Sequence, residues 1–289
     1  MGRTSASPLE AFETIPQDAR LNLGCGAKAP RGFINIDLGT VPGAIQHDLT
    51  RGIPFPDSSF DLVYHATMLS QLRPVDVAPL MIECRRVLKP GGVLRIATED
   101  LEQMCRIYLE KLEAAWAGDM LSAEDYDWMI LELYDQASRE RPGGDMAQFL
   151  ARDPLPNEAF LRSRIGEQVR HFIAGARAAA RRLQQEAATR RWSTRVQPLA
   201  IARAAQTVLR GERRAFDIGC FRLYGGEVSH RMYDRFSLRR LFLQAGFSGV
   251  ALRGIQDSYY PEWSDVNLDV TTSGAAARPH TLIMEGIRP

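Results

Sequence analysis

Leu21-Asn22-Leu23-Gly24-Cys25-Gly26, followed by Phe33-Ile34-Asn35-Ile36-Asp37, is the stretch of sequence that decides the fold. A short apolar strand runs into two glycines spaced one residue apart, and a second strand then ends on a carboxylate. Glycines let the backbone approach a ligand closely, and an acid at the end of the next strand can accept hydrogen bonds from both hydroxyls of a ribose. The pattern predicts an α/β fold that binds a nucleoside-containing cofactor.

The glycine pattern alone leaves the kind of cofactor open. Gly24-Cys25-Gly26-Ala27-Lys28-Ala29 also fits the loose G-x-G-x-x-A fingerprint of dinucleotide-binding folds. In those folds the ribose-binding acid lies about 20 residues beyond the glycines, whereas Asp37 comes much sooner. Pro30 and Gly32 also interrupt the helix whose N-terminus would hold a pyrophosphate. A nicotinamide-dependent oxidoreductase is therefore disfavoured. The alternative to any cofactor is that the two glycines only make a turn between a strand and a loop.

Further strands are predicted between residues 44 and 97. Ala44-Ile45-Gln46-His47-Asp48-Leu49 predicts a third strand that ends on an acid. A Pro/Asp/Ser turn then precedes a fourth strand, Phe60-Asp61-Leu62-Val63-Tyr64. The turn Arg86-Val87-Leu88-Lys89-Pro90-Gly91-Gly92 precedes a fifth, Val93-Leu94-Arg95-Ile96-Ala97. Between the last two, apolar residues recur at helical spacing and predict a helix that covers the sheet: Val77, Leu80, Met81, Cys84 and Leu88.

These segments, in this order, resemble the type 11 branch of the class I S-adenosylmethionine-dependent methyltransferases. The resemblance implies a Rossmann-like, seven-stranded α/β sheet whose last strand is antiparallel, with S-adenosylmethionine as the cofactor. It also implies that Asp37 binds the ribose and that Asp48 accepts a hydrogen bond from the adenine amino group. The full set of residues expected to contact the cofactor is Leu23, Gly24, Cys25, Gly26, Asp37, Leu38, His47, Asp48, Leu49, Tyr64 and His65.

The C-terminal region narrows the resemblance, and the segment after the fourth strand departs from it. His230-Arg231-Met232-Tyr233-Asp234-Arg235-Phe236-Ser237 is similar to a set of bacterial methyltransferase-like proteins, many of which are found beside glycan or secondary-metabolite genes. Such relatives often read His-x-x-Glu-His after the fourth strand, where this chain has Thr67-Met68-Leu69-Ser70-Gln71. The chain therefore either uses other groups for chemistry or is a non-catalytic S-adenosylmethionine- or S-adenosylhomocysteine-binding protein.

Methyl transfer requires in-line positioning and, for an oxygen or nitrogen acceptor, the removal of one proton. His65 follows the fourth strand, at the edge where open α/β sheets bind ligands. His230 and Tyr233 belong to the segment expected to close over that edge, and Glu99 and Asp100 follow the fifth strand there. The hypothesis is that His65 or His230 is the base for a hydroxyl of a small-molecule or sugar-like acceptor.

The sequence predicts a split domain with a helical insertion. Residues 1–100 and 226–289 should form the Rossmann-like domain, beginning with a short helix over about residues 8–15 that Ser7 caps. A last helix should begin at Ser237 and end at Gly246. The insertion, residues 101–225, is expected to be a lid over the acceptor or an interface between two copies of the chain. Its apolar residues recur at helical spacing: Leu101, Met104, Cys105, Tyr108, Leu109, Leu112 and Trp116, then Tyr126, Met129, Ile130, Leu133 and Tyr134.

Composition and charge exclude a few further classes of function. Lys plus Arg (36) nearly balances Asp plus Glu (35), so no global charge favours nucleic acid or a membrane surface. No apolar run reaches the roughly 18 residues of a membrane span. Four scattered cysteines without a C-x-x-C pair indicate reduced thiols in the cytoplasm and no metal site, with Cys25 packed beneath the cofactor rather than acting as a nucleophile. An arginine-rich segment between Arg177 and Arg214 suggests either an anion-binding face or a solvated helix surface.

Overall fold

The computed structural model describes residues 15–26, 29–193, 215–222 and 227–289. Several predictions from the sequence lie outside these residues. The first of these is the helix over about residues 8–15, of which only residue 15 is described. The others are Ala27 and Lys28 of the glycine loop and the arginines from Arg195 to Arg214.

Among the described residues, seven strands form one sheet, in the order β3-β2-β1-β4-β5-β7-β6. The first five strands are parallel, and β7 runs antiparallel to both β5 and β6. This arrangement confirms the predicted Rossmann-like sheet with its antiparallel last strand. In chain order the strands are β1 (Arg20–Leu23), β2 (Ile34–Asp37), β3 (Ile45–Gln46), β4 (Phe60–Ala66), β5 (Leu88–Glu99), β6 (Ser248–Leu252) and β7 (Thr281–Ile287).

The strand order reverses between β1 and β4. From β1 the chain moves outward to β2 and β3, and then returns to place β4 on the other side of β1. The two strands are in register, with Leu23 opposite His65. Ligands of open α/β sheets bind at such a switch point, beyond the carboxyl ends of the strands. The segments that follow Leu23 and Ala66 therefore border the crevice where a ligand is expected.

The sheet is covered on both faces, as the apolar character of its parallel strands requires. On one face, Leu23, Ile96 and Met284 belong to a large buried core with α1 (Pro74–Val87) and α7 (Arg235–Gln244). On the other face, Leu62 and Tyr64 pack with Tyr260 and Trp263 from the chain between β6 and β7. That connection includes the single turn α8 (Trp263–Val266).

Two local predictions are corrected. Helix α7 begins at Arg235 rather than Ser237, because Asp234 is its cap: the Asp234 carboxylate accepts a hydrogen bond from the Ser237 amide at 2.7 Å, and the Ser237 hydroxyl accepts one from the Asp234 amide at 3.0 Å. Most of the turn predicted over Arg86–Gly92, from Leu88 onward, is part of β5. Arg288 at the end of β7 exchanges two backbone hydrogen bonds with it, which hold these residues in the sheet as an irregular start of the strand.

The described residues fall into two units. One contains the sheet and comprises residues up to Glu102 and from His230 onward; the other comprises Gln103–Ser229. The second unit is helical, with residues 215–222 also in a helix. Its other helices are α2 (Leu101–Trp116), which begins just before the boundary, α3 (Met120–Ser138), α4 (Gly144–Leu150), α5 (Glu158–Ile165) and α6 (Val169–Ser193).

The core of the second unit contains a polar cluster among its apolar residues. The Trp128 indole donates to Glu132 at 2.6 Å, and the Arg164 guanidinium donates to the same carboxylate at 2.7 Å. All three side chains are buried. Because each buried polar group has a partner, the cluster joins α3 to α5 without leaving an unpaired charge. In the part of the chain that is described, no helix is long and apolar enough to cross a membrane.

Candidate functional site

The loop after β1 is a tight turn that only glycine fits at its first position. The Gly24 and Cys25 amides both donate to the Ile36 carbonyl, at 2.8 and 3.2 Å, which bends the chain sharply against β2. Gly24 and Gly26 have φ angles of +65° and +63°, a conformation that side chains disfavour. A Cβ at Gly24 would also lie 2.9 Å from the Cγ and Sδ atoms of Met68, which follows β4. The loop and the end of β4 are therefore in close contact.

Asp37, at the end of β2, is held between two turns. Its Oδ2 accepts a hydrogen bond from the Gly26 amide at 2.8 Å, and its Oδ1 accepts one from the Gly39 amide at 2.9 Å. Each carboxylate oxygen keeps a further lone pair, so both can still accept from a pair of vicinal hydroxyls. The neighbouring Leu38 side chain is 60% exposed. The glycine loop and a fixed, half-buried carboxylate thus meet at the switch point, as a ribose-binding site requires.

Cys25 lies in the same loop. Burial and the nearby Asp37 carboxylate raise the pKa of its thiol. A raised pKa keeps the thiol protonated near neutral pH, and the thiolate is the nucleophilic form of cysteine. The structure therefore supports a packing role for Cys25 over a nucleophilic one.

Asp48 caps the single helical turn Leu49–Arg51 beside β3. Its Oδ1 accepts from the hydroxyl and the amide of Thr50, at 2.7 and 3.0 Å, and these bonds hold the pKa of the carboxyl below its usual value. The His47 amide donates to the Asp37 carbonyl at 2.8 Å, which places Asp48 near Asp37 along the edge of the sheet. Both Asp48 and Leu49 are half-buried, so an ionised acceptor and an apolar side chain stand side by side where an adenine ring is expected.

The His47 ring has a structural partner. Its Nε2 lies 2.9 Å from the Gly52 carbonyl oxygen, to which it donates a hydrogen bond. The bond closes the loop that contains Asp48 and positions that carboxylate. The structure thus assigns the His47 side chain a supporting role for its neighbour.

Tyr64 does not face the glycine loop. Its side chain is 2% exposed and packs against the Trp263 ring, 5.8 Å between centroids, on the face of the sheet that the β6–β7 connection covers. Its hydroxyl donates to Asp269 at 2.7 Å and accepts from Arg278 at 2.5 Å. Burial raises the pKa of this hydroxyl well above its usual value. The expectation that the Tyr64 side chain contacts the cofactor is corrected to a structural role.

His65 is fully buried on the other face, in the row that contains Leu23 and Ile96. Neither ring nitrogen has a hydrogen-bond partner among the described residues. Burial lowers the pKa of the ring to about 3, so the imidazole is neutral and a poor proton acceptor at neutral pH. A buried ring also has no exposed surface with which to reach an acceptor. The hypothesis that His65 is the catalytic base is therefore corrected.

The segment with His230 and Tyr233 lies against the turn Leu69–Gln71, as the His230 and Arg231 amides donate to the Ser70 carbonyl at 2.7 and 3.3 Å. His230 is exposed. Tyr233 is buried in the core, and burial raises the pKa of its hydroxyl.

The first residue after β4 is itself strained. Thr67 has a φ angle of +55°, a conformation that is rare for a β-branched residue and that clusters at functional sites. Its amide donates to the Ala97 carbonyl of β5 at 2.8 Å, which holds it there. The strained residue immediately precedes Met68, which contacts the glycine loop. Backbone geometry at the edge of the sheet is thus maintained at an energetic cost.

Sequence reasoning missed a buried charge network behind the sheet. Arg95, in the middle of β5, is 0% exposed; its Nε donates to Asp269 at 2.8 Å and its Nη1 to Glu285 at 2.7 Å. The guanidinium also lies 4.2 Å from the centroid of the Trp263 ring. An arginine within the apolar run Val93–Ala97 is the one signal that could have indicated such a network. The network ties the β6–β7 connection to the back of the site.

Comparison with known proteins agrees with this geometry. Residues 21–96 match the family described as a methyltransferase domain. The chain is similar to "Probable methyltransferase ltbC" of Aspergillus luteorubrus, with 40% identity over 83 residues, and to the ubiquinone/menaquinone biosynthesis C-methyltransferase UbiE of Paraburkholderia phytofirmans, with 34% identity over 101 residues. These matches cover 27% and 32% of this chain, and only 28% and 40% of those relatives' lengths.

Among solved structures, an S-adenosylmethionine-dependent methyltransferase of Mesorhizobium loti aligns over 97% of this chain and 95% of its own, at 14% identity and a TM-score of 0.35. The domain match covers β1 to β5, which carry the glycine loop, Asp37 and Asp48. Residues 21–96 therefore match a methyltransferase domain, which supports S-adenosylmethionine as the cofactor.

Proposed function

We propose that this chain transfers a methyl group from S-adenosylmethionine to a hydroxyl oxygen of a small-molecule or sugar-like acceptor. The observation that carries the proposal is the Asp37 carboxylate, fixed by the Gly26 and Gly39 amides at 2.8 and 2.9 Å beside a loop of two left-handed glycines. This arrangement offers two acceptors to a ribose diol, and the described residues between Gly26 and β2 include no helix whose N-terminus could hold a pyrophosphate. It therefore supports the sulfonium cofactor over a dinucleotide.

The residues of the site bind and position more than they react. When bound, S-adenosylmethionine would supply a methyl group to the acceptor, and the sulfonium sulfur would keep the electron pair of the carbon–sulfur bond that breaks. Asp37 and Asp48 would hold the two ends of the nucleoside, while Gly24 lets the backbone approach the ligand. For a hydroxyl acceptor the chain must in addition take up one proton.

The oxygen acceptor and its chemical class are inferences from the resemblance and from the polar residues at the edge of the sheet. Glu99, Asp100 and His230 are in or next to elements that end there, and oxygen acceptors need such a base. One relative is named as a C-methyltransferase, so a product methylated at carbon is the first alternative to test. A nucleic-acid acceptor is not proposed, because the chain is almost neutral.

We also infer a homodimer formed through the helical unit and a cytoplasmic location. Three apolar side chains at the turn between α2 and α3 are strongly exposed: Trp116, Met120 and Leu121. Exposed apolar clusters of this kind are typical of protein–protein contacts, and a second copy of the chain is the partner that satisfies them within a soluble enzyme. The cytoplasmic location rests on four cysteines that are all free.

The function is tested first by binding and then by product formation. Titration calorimetry of the purified chain should show micromolar binding of S-adenosylhomocysteine and no binding of NADH. Incubation with a metabolite extract and S-adenosylmethionine carrying a deuterated methyl group should then label a product, and fragmentation of that product locates the methyl on oxygen or carbon. Binding of NADH alone would contradict the proposal.

A second candidate function is a non-catalytic cofactor-binding protein. The observation that favours it is the Thr67–Gln71 segment, in which Ser70 is buried and its carbonyl accepts from His230 and Arg231. Those contacts give the segment a structural use in place of a catalytic one. Binding of S-adenosylhomocysteine without a labelled product from any extract would favour this candidate.

A further inference from the structure

Just beyond the end of β5 and just before the start of β7, a residue with a carboxylate lies opposite one with an imidazole. Glu99 at the end of β5 pairs with Thr281 at the start of antiparallel β7. One step further along, the Asp100 amide donates a hydrogen bond to the His280 carbonyl at 3.1 Å. This hydrogen bond places Asp100 and His280 opposite each other, one residue beyond the end of β5 and one residue before the start of β7. Side chains of opposed residues lie on the same face of a sheet, with Cβ atoms about 4.5–5.5 Å apart.

Tyr233 extends this row on the other side of Asp100. It forms a parallel bridge with Asp100, and the Leu101 amide donates to the Tyr233 carbonyl at 2.9 Å. Paired residues share a face of the sheet. The row therefore consists of the Tyr233 phenol, the Asp100 carboxylate and the His280 imidazole, in that order. Tyr233 is buried, whereas Asp100 and His280 are each half-buried. Water or a ligand can therefore reach the carboxylate and the imidazole but not the phenol ring.

The row lies on the face of the sheet that leads to the cofactor loop. Asp100 is four residues beyond Ile96 on β5, so its side chain is on the same face as Ile96 and the paired His65. It is beyond the carboxyl end of β5, whereas His65 is within β4. Of the two histidines, His280 is thus nearer to the edge where ligands of such sheets bind, and it is the one with exposed surface.

We propose that His280, oriented by the Asp100 carboxylate, is the base that removes the acceptor's proton. This inference rests on the proposed function. A neutral imidazole ring nitrogen accepts the proton as the acceptor oxygen bonds to the methyl carbon, and the carboxylate stabilises the imidazolium that forms. The proton then passes to bulk water, which returns the ring to its neutral form. Asp100 acts through His280 and is a positioning residue.

The other charged groups near the row have partners of their own. The Arg278 guanidinium, in the turn that precedes β7, donates a hydrogen bond to the Tyr64 hydroxyl and lies 3.4 Å from Asp269. Arg235 is paired with Glu102 at 3.0 Å, and the Glu99 carboxylate accepts from the Thr98 hydroxyl at 3.1 Å. The Arg231 guanidinium lies over the Tyr233 ring, 5.5 Å from its centroid. Asp100 is the carboxylate that the register of the strands puts across from His280.

Two measurements test the inference, one of them independent of turnover. In the chain labelled with ¹⁵N-histidine, the ring shifts of His280 should report a single neutral tautomer, because a carboxylate partner fixes the N–H on the nitrogen that faces it. Asp100→Asn should change the tautomer ratio of His280 and leave the signals of the exposed His171 on α6 unchanged. An unchanged His280 ratio in this variant would overturn the role of Asp100.

The second measurement is turnover with the labelled cofactor. His280→Ala should lower kcat by about 10²–10⁴-fold while the affinity for S-adenosylhomocysteine stays within about twofold. Added imidazole should restore part of the rate, which a merely structural defect would not allow. His171→Ala is the matched control and should turn over at the wild-type rate.

The outcomes separate this inference from the proposed function. A wild-type chain that forms product, with undiminished kcat in His280→Ala, overturns the base and leaves the proposed function intact. A wild-type chain that binds S-adenosylhomocysteine but forms no product overturns both. Loss of turnover in His230→Ala together with full turnover in His280→Ala would assign the base to His230 instead.

Discussion

At the scale of single residues, the site depends on side chains and backbone conformations that contacts with neighbouring residues hold in place. Asp37 has its two oxygens fixed by two different turns, Gly24 has a left-handed backbone beneath Met68, and His65 is buried without a hydrogen-bond partner among the described residues. Each of these features has a measurable cost or benefit. Single substitutions can therefore separate cofactor binding from stability.

Asp37→Ala should weaken the binding of S-adenosylhomocysteine by about 1–3 kcal/mol, because it removes the charged acceptor of two ribose hydroxyls. Titration calorimetry measures the change directly. Asp265→Ala removes an exposed carboxylate from the same unit and is the matched control. Equal affinities of wild type and Asp37→Ala would contradict the assignment of Asp37 to the ribose.

Gly24→Ala and Gly26→Ala form a matched pair within one loop. Both place a side chain at a φ near +60°, which costs roughly 1–2 kcal/mol. Among the described residues, only the new Cβ at Gly24 would meet another residue, Met68, at 2.9 Å. Urea unfolding should therefore show a larger loss for Gly24→Ala, by about 1 kcal/mol or more, and Met68→Ala should remove that excess. Identical losses in the two variants would show that the Met68 contact carries no energy.

His65 predicts a specific acid sensitivity. The ring titrates at 6.5 in the unfolded chain but at about 3 when buried, so below pH 6.5 the unfolded state binds a proton that the folded state does not. Stability therefore falls as the pH is lowered, by about 1.4 kcal/mol per pH unit well below 6.5. His65→Leu should abolish this part of the pH dependence. Unfolding curves of both chains between pH 7 and pH 4 measure it, and parallel curves would refute the burial of a neutral ring.

At the scale of elements, β5 has a different role on each of its faces. On one face Ile96 packs into the core, and on the other Arg95 makes the buried ion pairs with Asp269 and Glu285. The same strand continues to Asp100 at the ligand edge. One element therefore fixes the β6–β7 connection behind the sheet and the acceptor side of the site at its end.

Arg95→Leu should destabilise the fold by about 3–5 kcal/mol, because it removes the buried guanidinium that Asp269 and Glu285 share. Arg73→Ala, which breaks the surface pair with Asp76 at 2.8 Å, should have a much smaller effect, because solvent screens an exposed ion pair. Chemical denaturation of the two variants measures the contrast. A loss in Arg95→Leu as small as that in Arg73→Ala would mean that the network adds no stability.

At the scale of the whole molecule, the sheet unit combines two distant parts of the chain, and the helical unit is encoded between them. The sheet unit contains every residue assigned here to cofactor binding or proton transfer. The helical unit has its own buried core around Trp128, Glu132 and Arg164. A separate core allows an inserted segment to vary without disturbing the sheet.

The sequence by itself determined the sheet and the glycine loop, and it predicts the cofactor and the role of Asp37. These signals are local: a strand, two glycines and an acid within 17 residues of one another are enough to specify how they meet. The helix periods between the strands are equally local. A reader of the chain alone can therefore place the cofactor end of the site.

Only the tertiary structure decided which polar residues are usable. Arg95 meets Asp269 and Glu285 across 174 and 190 residues of chain, and Asp100 meets His280 across a comparable separation. Neither pairing leaves a periodic trace in the sequence. His65 and His280 look alike as single letters at strand ends, and burial alone makes one a neutral core residue and leaves the other accessible. That difference depends on packing between strands far apart in the chain, which local sequence patterns do not encode.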